Sequence, residues 1–172
     1  MWIILKCRPG ETENFMNICR QQIPGEILTD LFIFTCDRMR RYEGSWHKET
    51  KEMFPGYVFM ETGNPSALSE WMKRCCRLMP GEAGAAADGR KPRRVEPEEE
   101  KLLRELGGEQ HHLGMSRGYI RDGITHIVHG PLVGMERRIR KIDRHKRLAW
   151  IEYPSDESGA SFTAGLEITS KT

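Results

Sequence analysis

Two stretches of this 172-residue chain hold side chains whose types and spacing have chemical use. From Arg137 to Arg147 there are seven cations (Arg137, Arg138, Arg140, Lys141, Arg144, Lys146, Arg147) and one acid, Asp143, a net +6 within eleven residues. The rest of the chain carries −4, so an overall charge of +2 conceals a strongly polarised molecule. A local potential of this kind draws an anionic partner, although a solvated basic face of a small barrel gives the same composition. The second stretch is Met53-Phe54-Pro55-Gly56-Tyr57-Val58-Phe59-Met60. There Pro55-Gly56 bends the entry to a strand and can leave Phe54 and Tyr57 with aromatic area at a surface; core packing is the alternative use of the same rings.

Other chemistries lack the necessary residues. Gly130 and Gly134 are not followed by the Lys-Ser/Thr ending that holds nucleotide phosphates and magnesium. His111, His112, His126 and His129 accompany five cysteines (Cys7, Cys19, Cys36, Cys75, Cys76), but there is no CxxC pair, so neither a metal nor a cofactor is expected. No nucleophile or carboxylate pair sits in a distinctive frame, and the expectation is a binding protein, not an enzyme. The longest apolar opening, Trp2-Ile3-Ile4-Leu5, is far short of the roughly 18 residues a spanning helix needs. With no export signal, the chain is expected in the cytoplasm with its thiols reduced.

These stretches need elements to position them. Trp2 to Cys7 is an apolar, β-branched run closed by Pro9-Gly10, and Phe15, Ile18, Cys19 and Ile23 then mark a helix ending near Pro24-Gly25. Leu31 to Cys36 and Met53 to Glu61 predict strands joined by a charged sixteen-residue excursion, a long hairpin or its tip. Asn64-Pro65 caps a helix with Leu68, Trp71, Met72 and Cys75 on one face. Leu78 to Gly81 is a possible further strand, followed by a loose Gly/Ala-rich connection. Pro97 with Glu98, Glu99 and Glu100 opens a helix carrying Leu102, Leu103 and Leu106 and closed by Gly107-Gly108. Five short β runs then follow: Ile124 to His129, Glu136 to Ile142, Leu148 to Tyr153, Phe162 to Ala164, and Leu166 to Ile168. The expected organisation is an α+β domain over 1–108, a linker over 109–117 and a small all-β barrel over 118–172.

The opening Trp2-Ile3-Ile4-Leu5-Lys6-Cys7-Arg8-Pro9-Gly10-Glu11, together with Phe54-Pro55-Gly56-Tyr57, resembles the N-terminal domain of NusG-family transcription elongation factors. Gly130-Pro131-Leu132-Val133-Gly134, Ile139, Ile142-Asp143 and Leu166-Glu167-Ile168 look like that family's KOW motif and the end of its SH3-like barrel. The resemblance covers nearly the whole chain in the family's order. The run Asp143 to Ala149 and the short acidic helix are similar to a specialised paralog of the LoaP antiterminator type.

What the resemblance implies is a factor that docks on the RNA polymerase clamp through an apolar patch and favours processive transcription of target operons. Trp2, Phe54, Pro55, Gly56 and Tyr57 are the expected polymerase contacts. Arg137, Arg138, Arg140, Lys141, Arg144, His145, Lys146 and Arg147 are the expected contacts to nascent RNA, a structured leader element. Arg38, Arg40, Arg41 and Lys48 in the hairpin could meet non-template DNA, although solvated charge is the favoured explanation of that cluster. The alternatives are a KOW-bearing ribosome-associated RNA-binding protein or an adaptor coupling transcription to translation. Where KOW motifs carry a second glycine this chain has Arg137, which fits there only if its backbone avoids positive φ.

Overall fold

The computed structural model describes residues 1–78, 92–154 and 161–172. In chain order the elements are β1 (Trp2–Lys6), α1 (Thr12–Gln22), β2 (Asp30–Phe32), β3 (Thr35–Tyr42), β4 (Ser45–Glu52), β5 (Tyr57–Glu61), α2 (Pro65–Leu78), β6 (Arg93–Arg94), α3 (Pro97–Gly107), β7 (His112–Leu113), β8 (Ser116–Arg121), β9 (Ile124–His129), β10 (Ile139–Asp143), β11 (Leu148–Glu152) and β12 (Ser161–Lys171). The chain is α+β and divides into two compact units. Residues 79–91, with most of the expected strand and of the Gly/Ala-rich connection from Gly81 to Arg94, lie outside the described residues, but the end of that connection is not loose, since Arg93–Arg94 pair with β1 as β6.

The first unit comprises residues 1–33 and 54–100. Its sheet, β2-β5-β1-β6, is antiparallel throughout, with Leu5 opposite Val58 and Phe32 opposite Phe59. Strand alternation sends Ile3, Leu5, Leu31, Val58 and Met60 into one core with the stripe Phe15, Met16 and Cys19 of α1 and Leu68, Met72 and Cys75 of α2. The α2 start is as expected: Asn64 Oδ1 accepts the N–H of Ala67 at 3.1 Å, and Pro65 occupies the first helical position. Residues of the other register, Trp2, Phe32 and Phe59, make a second, aromatic cluster. Trp2 stands edge-on to both phenyl rings, which stack on each other at 5.5 Å.

The second unit takes residues 34–53 and 101–172, so the boundary between compact units falls inside α3 and not at 109–117. The excursion after β2 is a hairpin in full register, Thr35 opposite Glu52 through Tyr42 opposite Ser45. Glu43 and Gly44 at its tip both have positive φ, the form of a two-residue hairpin loop that matches strand twist. It stays with this unit because Arg38 donates to the carbonyl and the hydroxyl of Thr163, and because β7 pairs with β3. Residues 109–117 therefore contain β7 and the start of β8, with Leu113 and Ser116 buried.

The C-terminal strands form a five-stranded sheet, β10-β11-β12-β8-β9, with β12 and β8 parallel. The expected closed barrel is not formed among the described residues: β9 and β10 remain edges with no ladder between them. A side chain laces the two edges instead. Glu136, just ahead of β10, accepts the N–H of Ile127 on β9 at 3.2 Å. The two final β runs are a single strand, since Gly165 lies inside β12, where a Cβ would stand 2.2 Å from Met115 Sδ and 2.8 Å from the Asp37 carbonyl. The glycine permits close approach and does not break the strand.

Candidate functional site

The Phe54–Tyr57 segment is a tight turn built by its sequence. Pro55 supplies the fixed φ of the second position, Gly56 sits at φ +79°, and Tyr57 N–H donates to the Phe54 carbonyl at 3.0 Å. The turn is pinned to the end of β1 by Cys7 N–H donating to the Gly56 carbonyl at 2.7 Å. A Cβ at Gly56 would lie 3.2 Å from the Cys7 carbonyl oxygen in a left-handed conformation. Gly56→Ala is therefore expected to cost about 1–2 kcal/mol, read as a lowered denaturant midpoint of the full chain.

Pro55 is exposed and Phe54, Gly56 and Tyr57 are half-buried, so the turn presents ring area at the surface. Phe54 leans on Phe59 at 5.7 Å, and Lys6 Nζ stands 5.8 Å from the centre of the Tyr57 ring. Trp2 is a correction. Expected beside these rings at the surface, it is wholly buried, because its register on β1 turns it into the Phe32–Phe59 cluster. It backs the patch and offers a partner nothing.

The basic run is divided by the local backbone. Ile139 pairs with Ile151 but Lys141 with Trp150, so Arg140 is an extra residue in a bulge, and both Arg140 and Lys141 reach solvent. Arg137 and Arg138 lie in a single 3₁₀ turn, Glu136–Arg138, and Arg137 is not at positive φ. The glycine-to-arginine departure is thus accommodated without strain. Asp143 Oδ1 accepts the N–H of Lys146 at 2.9 Å, closing the turn that exposes Arg144, His145 and Lys146. Hydrogen bonds from the backbone N–H groups of Lys146 and His145, with the charge of Lys146, hold the Asp143 carboxyl below its ordinary range.

Three members of the run make contacts inside the unit, Lys141 with its Nζ 5.1 Å from the centre of the Trp150 ring. Arg140 pairs with Glu152 across the strands. Arg147, at φ +52°, pairs with Glu167 at 2.8 Å while its guanidinium lies 4.3 Å from the centre of the Trp46 ring. The exposed cations other than the paired Arg140 are Arg137, Lys141, Arg144 and Lys146, with Arg138 half-buried. Of the suggested DNA contacts, Arg38 is tied to Thr163, whereas Arg40, Arg41 and Lys48 are all exposed, Arg40 lying 3.7 Å from Glu49 and Lys48 3.5 Å from Asp37.

Sequence reasoning missed a cleft of about 390 Å³ between the two edge strands. Ile124, Ile139 and Ile142 give it apolar surface, and Arg137 and Lys141 give it charge. Glu136 stands in it as an anion: its own backbone N–H, with those of Ile127 and Gly134 and the charge of His126, depresses its carboxyl below the ordinary range. A depressed folded pKa contributes stability that is present above the unfolded value of about 4.3 and is lost as pH falls through the folded one. Between pH 6 and 3 the wild type should thus lose more thermal stability than Glu136→Gln, which cannot protonate. Equal losses would show that this carboxylate does not lace the edges.

No family model and no curated protein matches the sequence. Among solved structures, NusG from Thermotoga maritima, studied for its domain interaction, is similar over 97% of this chain and 93% of its own. The TM-score is 0.52 and the identity 17%. The fold is NusG-like.

Proposed function

We propose that this protein is a transcription elongation and antitermination factor, a specialised NusG paralog of the LoaP type. The exposed Phe54-Pro55-Gly56-Tyr57 turn docks on the clamp of RNA polymerase, and the basic run of the second unit, whose open sheet serves as the KOW module, holds nascent RNA. The observation that carries this reading is that a NusG-like fold exposes aromatic area on one unit and at least four cations on the other.

Each half follows from ordinary binding physics. A ligand that prefers the closed clamp shifts the polymerase toward that state by the difference in its two affinities, and aromatic anchors supply such differences at interfaces. Exposed arginines bridge phosphates with two N–H donors while lysines add charge, which suits a folded transcript segment better than an apolar protein surface. Arg40, Arg41 and Lys48 on the hairpin remain the candidates for non-template DNA in the bubble. A factor acting this way works inside the cell, binds without catalysing, and requires neither metal nor cofactor.

The test is transcription in vitro with purified RNA polymerase on leader-plus-terminator templates from the source genome. The intact chain should raise terminator read-through, and Tyr57→Ala and removal of the four exposed cations should each abolish the gain. Unchanged read-through with the folded wild type would overturn the proposal.

A further inference from the structure

The outer face of the β8–β9 hairpin adds something that phosphate attraction does not require. Register places Tyr119 opposite His126 and Arg121 opposite Ile124, so all four side chains share one face, and Val128 follows as the extra residue of a bulge in β9. The Tyr119 and His126 rings stack with centres 4.9 Å apart and planes 19° from parallel. Arg121 lies over Tyr119 with its guanidinium carbon 5.5 Å from the ring centre. Ile124 and Val128 are each 61% exposed, and Ile124 is also part of the cleft wall facing Arg137 and Lys141. A stacked aromatic pair, a planar cation and bare aliphatic carbon thus lead to a cleft that holds Arg137, Arg140 and Lys141 together with the Glu136 carboxylate.

Phosphates need none of the apolar part. Paired RNA hides its base faces and is recognised through phosphates and shape, whereas unpaired bases are bound by stacking on aromatic and guanidinium planes beside a cationic track. The cleft, about 390 Å³, is an open groove, a shape that can take the face of a base without enclosing it.

We infer that this face and cleft receive unpaired nucleobases from a loop or bulge of the RNA, stacked against Tyr119 and His126 and seated on Ile124, while Arg137 and Lys141 hold the flanking phosphates. The inference rests on the reading of the basic run as an RNA surface, and it adds what that run cannot supply: discrimination of unpaired from paired RNA. Since every base has a stacking face, preference among the four bases should be small.

The experiment uses the full chain and two labelled RNAs, a hairpin with a ten-nucleotide uridine loop and a fully paired duplex with the same stem, titrated by fluorescence anisotropy at fixed salt. Wild type should bind the looped RNA more tightly. Ile124→Ser and Tyr119→Ala should each weaken the looped RNA about ten-fold, leave the duplex unchanged and leave the salt dependence intact. Tyr119→Phe, which keeps the ring, should retain loop affinity. The inference falls, with the basic-run reading intact, if wild type treats the two RNAs alike. It also falls if variants that melt like wild type bind the loop as wild type does, as they would if the cleft took an acidic protein segment. If neither RNA binds the folded wild type, both fall together.

Discussion

Trp2→Ala is expected to unfold the first unit or to lower its melting temperature by about 12 °C or more. The indole is wholly buried and edge-on to Phe32 at 5.1 Å and Phe59 at 6.0 Å. Its backbone is also committed, with the Trp2 N–H donating to Glu100 at 2.9 Å and its carbonyl accepting Val95 N–H at 2.9 Å. Truncating such a side chain costs about 3–5 kcal/mol, a large part of the roughly 5–15 kcal/mol that holds a domain together. Tyr57→Ala, by contrast, removes a half-buried ring beside an exposed proline and should cost the fold little. Calorimetry of both full-length variants separates the core tryptophan from the surface tyrosine; equal destabilisation would place Tyr57 in the core and remove it as a contact.

The second large effect belongs to the exposed cations. Replacing Arg137, Lys141, Arg144 and Lys146 together by alanine should lower RNA affinity on the order of 10²–10³-fold near 0.1 M salt. Each phosphate neutralised on a single strand contributes about −0.7 to the slope of log affinity against log salt, so four contacts give a wild-type slope of about −3. The quadruple variant should bind with a slope near zero. Arg140 and Arg147 are left in place because their charges are engaged with Glu152 and Glu167, and removing Arg147 would also release Trp46. A wild-type affinity indifferent to salt would exclude phosphate contacts as its source.

The helices were legible because their information is local. The Asn64 cap and the Leu68–Met72–Cys75 stripe of α2, and the acids and leucines of α3, need no partner to be recognised. The strand β8 was legible but passed over: Asp122-Gly123, both at positive φ between paired strands, is a strong hairpin signal. What pattern alone could not give were the pairings. The two-residue strands β6 and β7 are defined only by distant partners, and the interior role of Gly165 depends on Met115 and Asp37 approaching it.

The site was legible to a similar degree. Phe54 to Tyr57 and the cations were identified by type, but their availability was not. Register buries Trp2, a bulge exposes Arg140 and Lys141 together, and ion pairs with remote acids occupy Arg140 and Arg147. The cleft was invisible because it exists only where β9 and β10, far apart along the sheet order, come to face one another.

The most direct measurement is equilibrium binding of the intact chain to purified RNA polymerase core enzyme, comparing wild type with Tyr57→Ala after both are shown by calorimetry to melt alike. The account predicts binding by wild type and at least ten-fold weaker binding by the variant, the loss expected of an aromatic anchor. A folded wild type that ignores the enzyme, or a variant that binds it equally well, would contradict it.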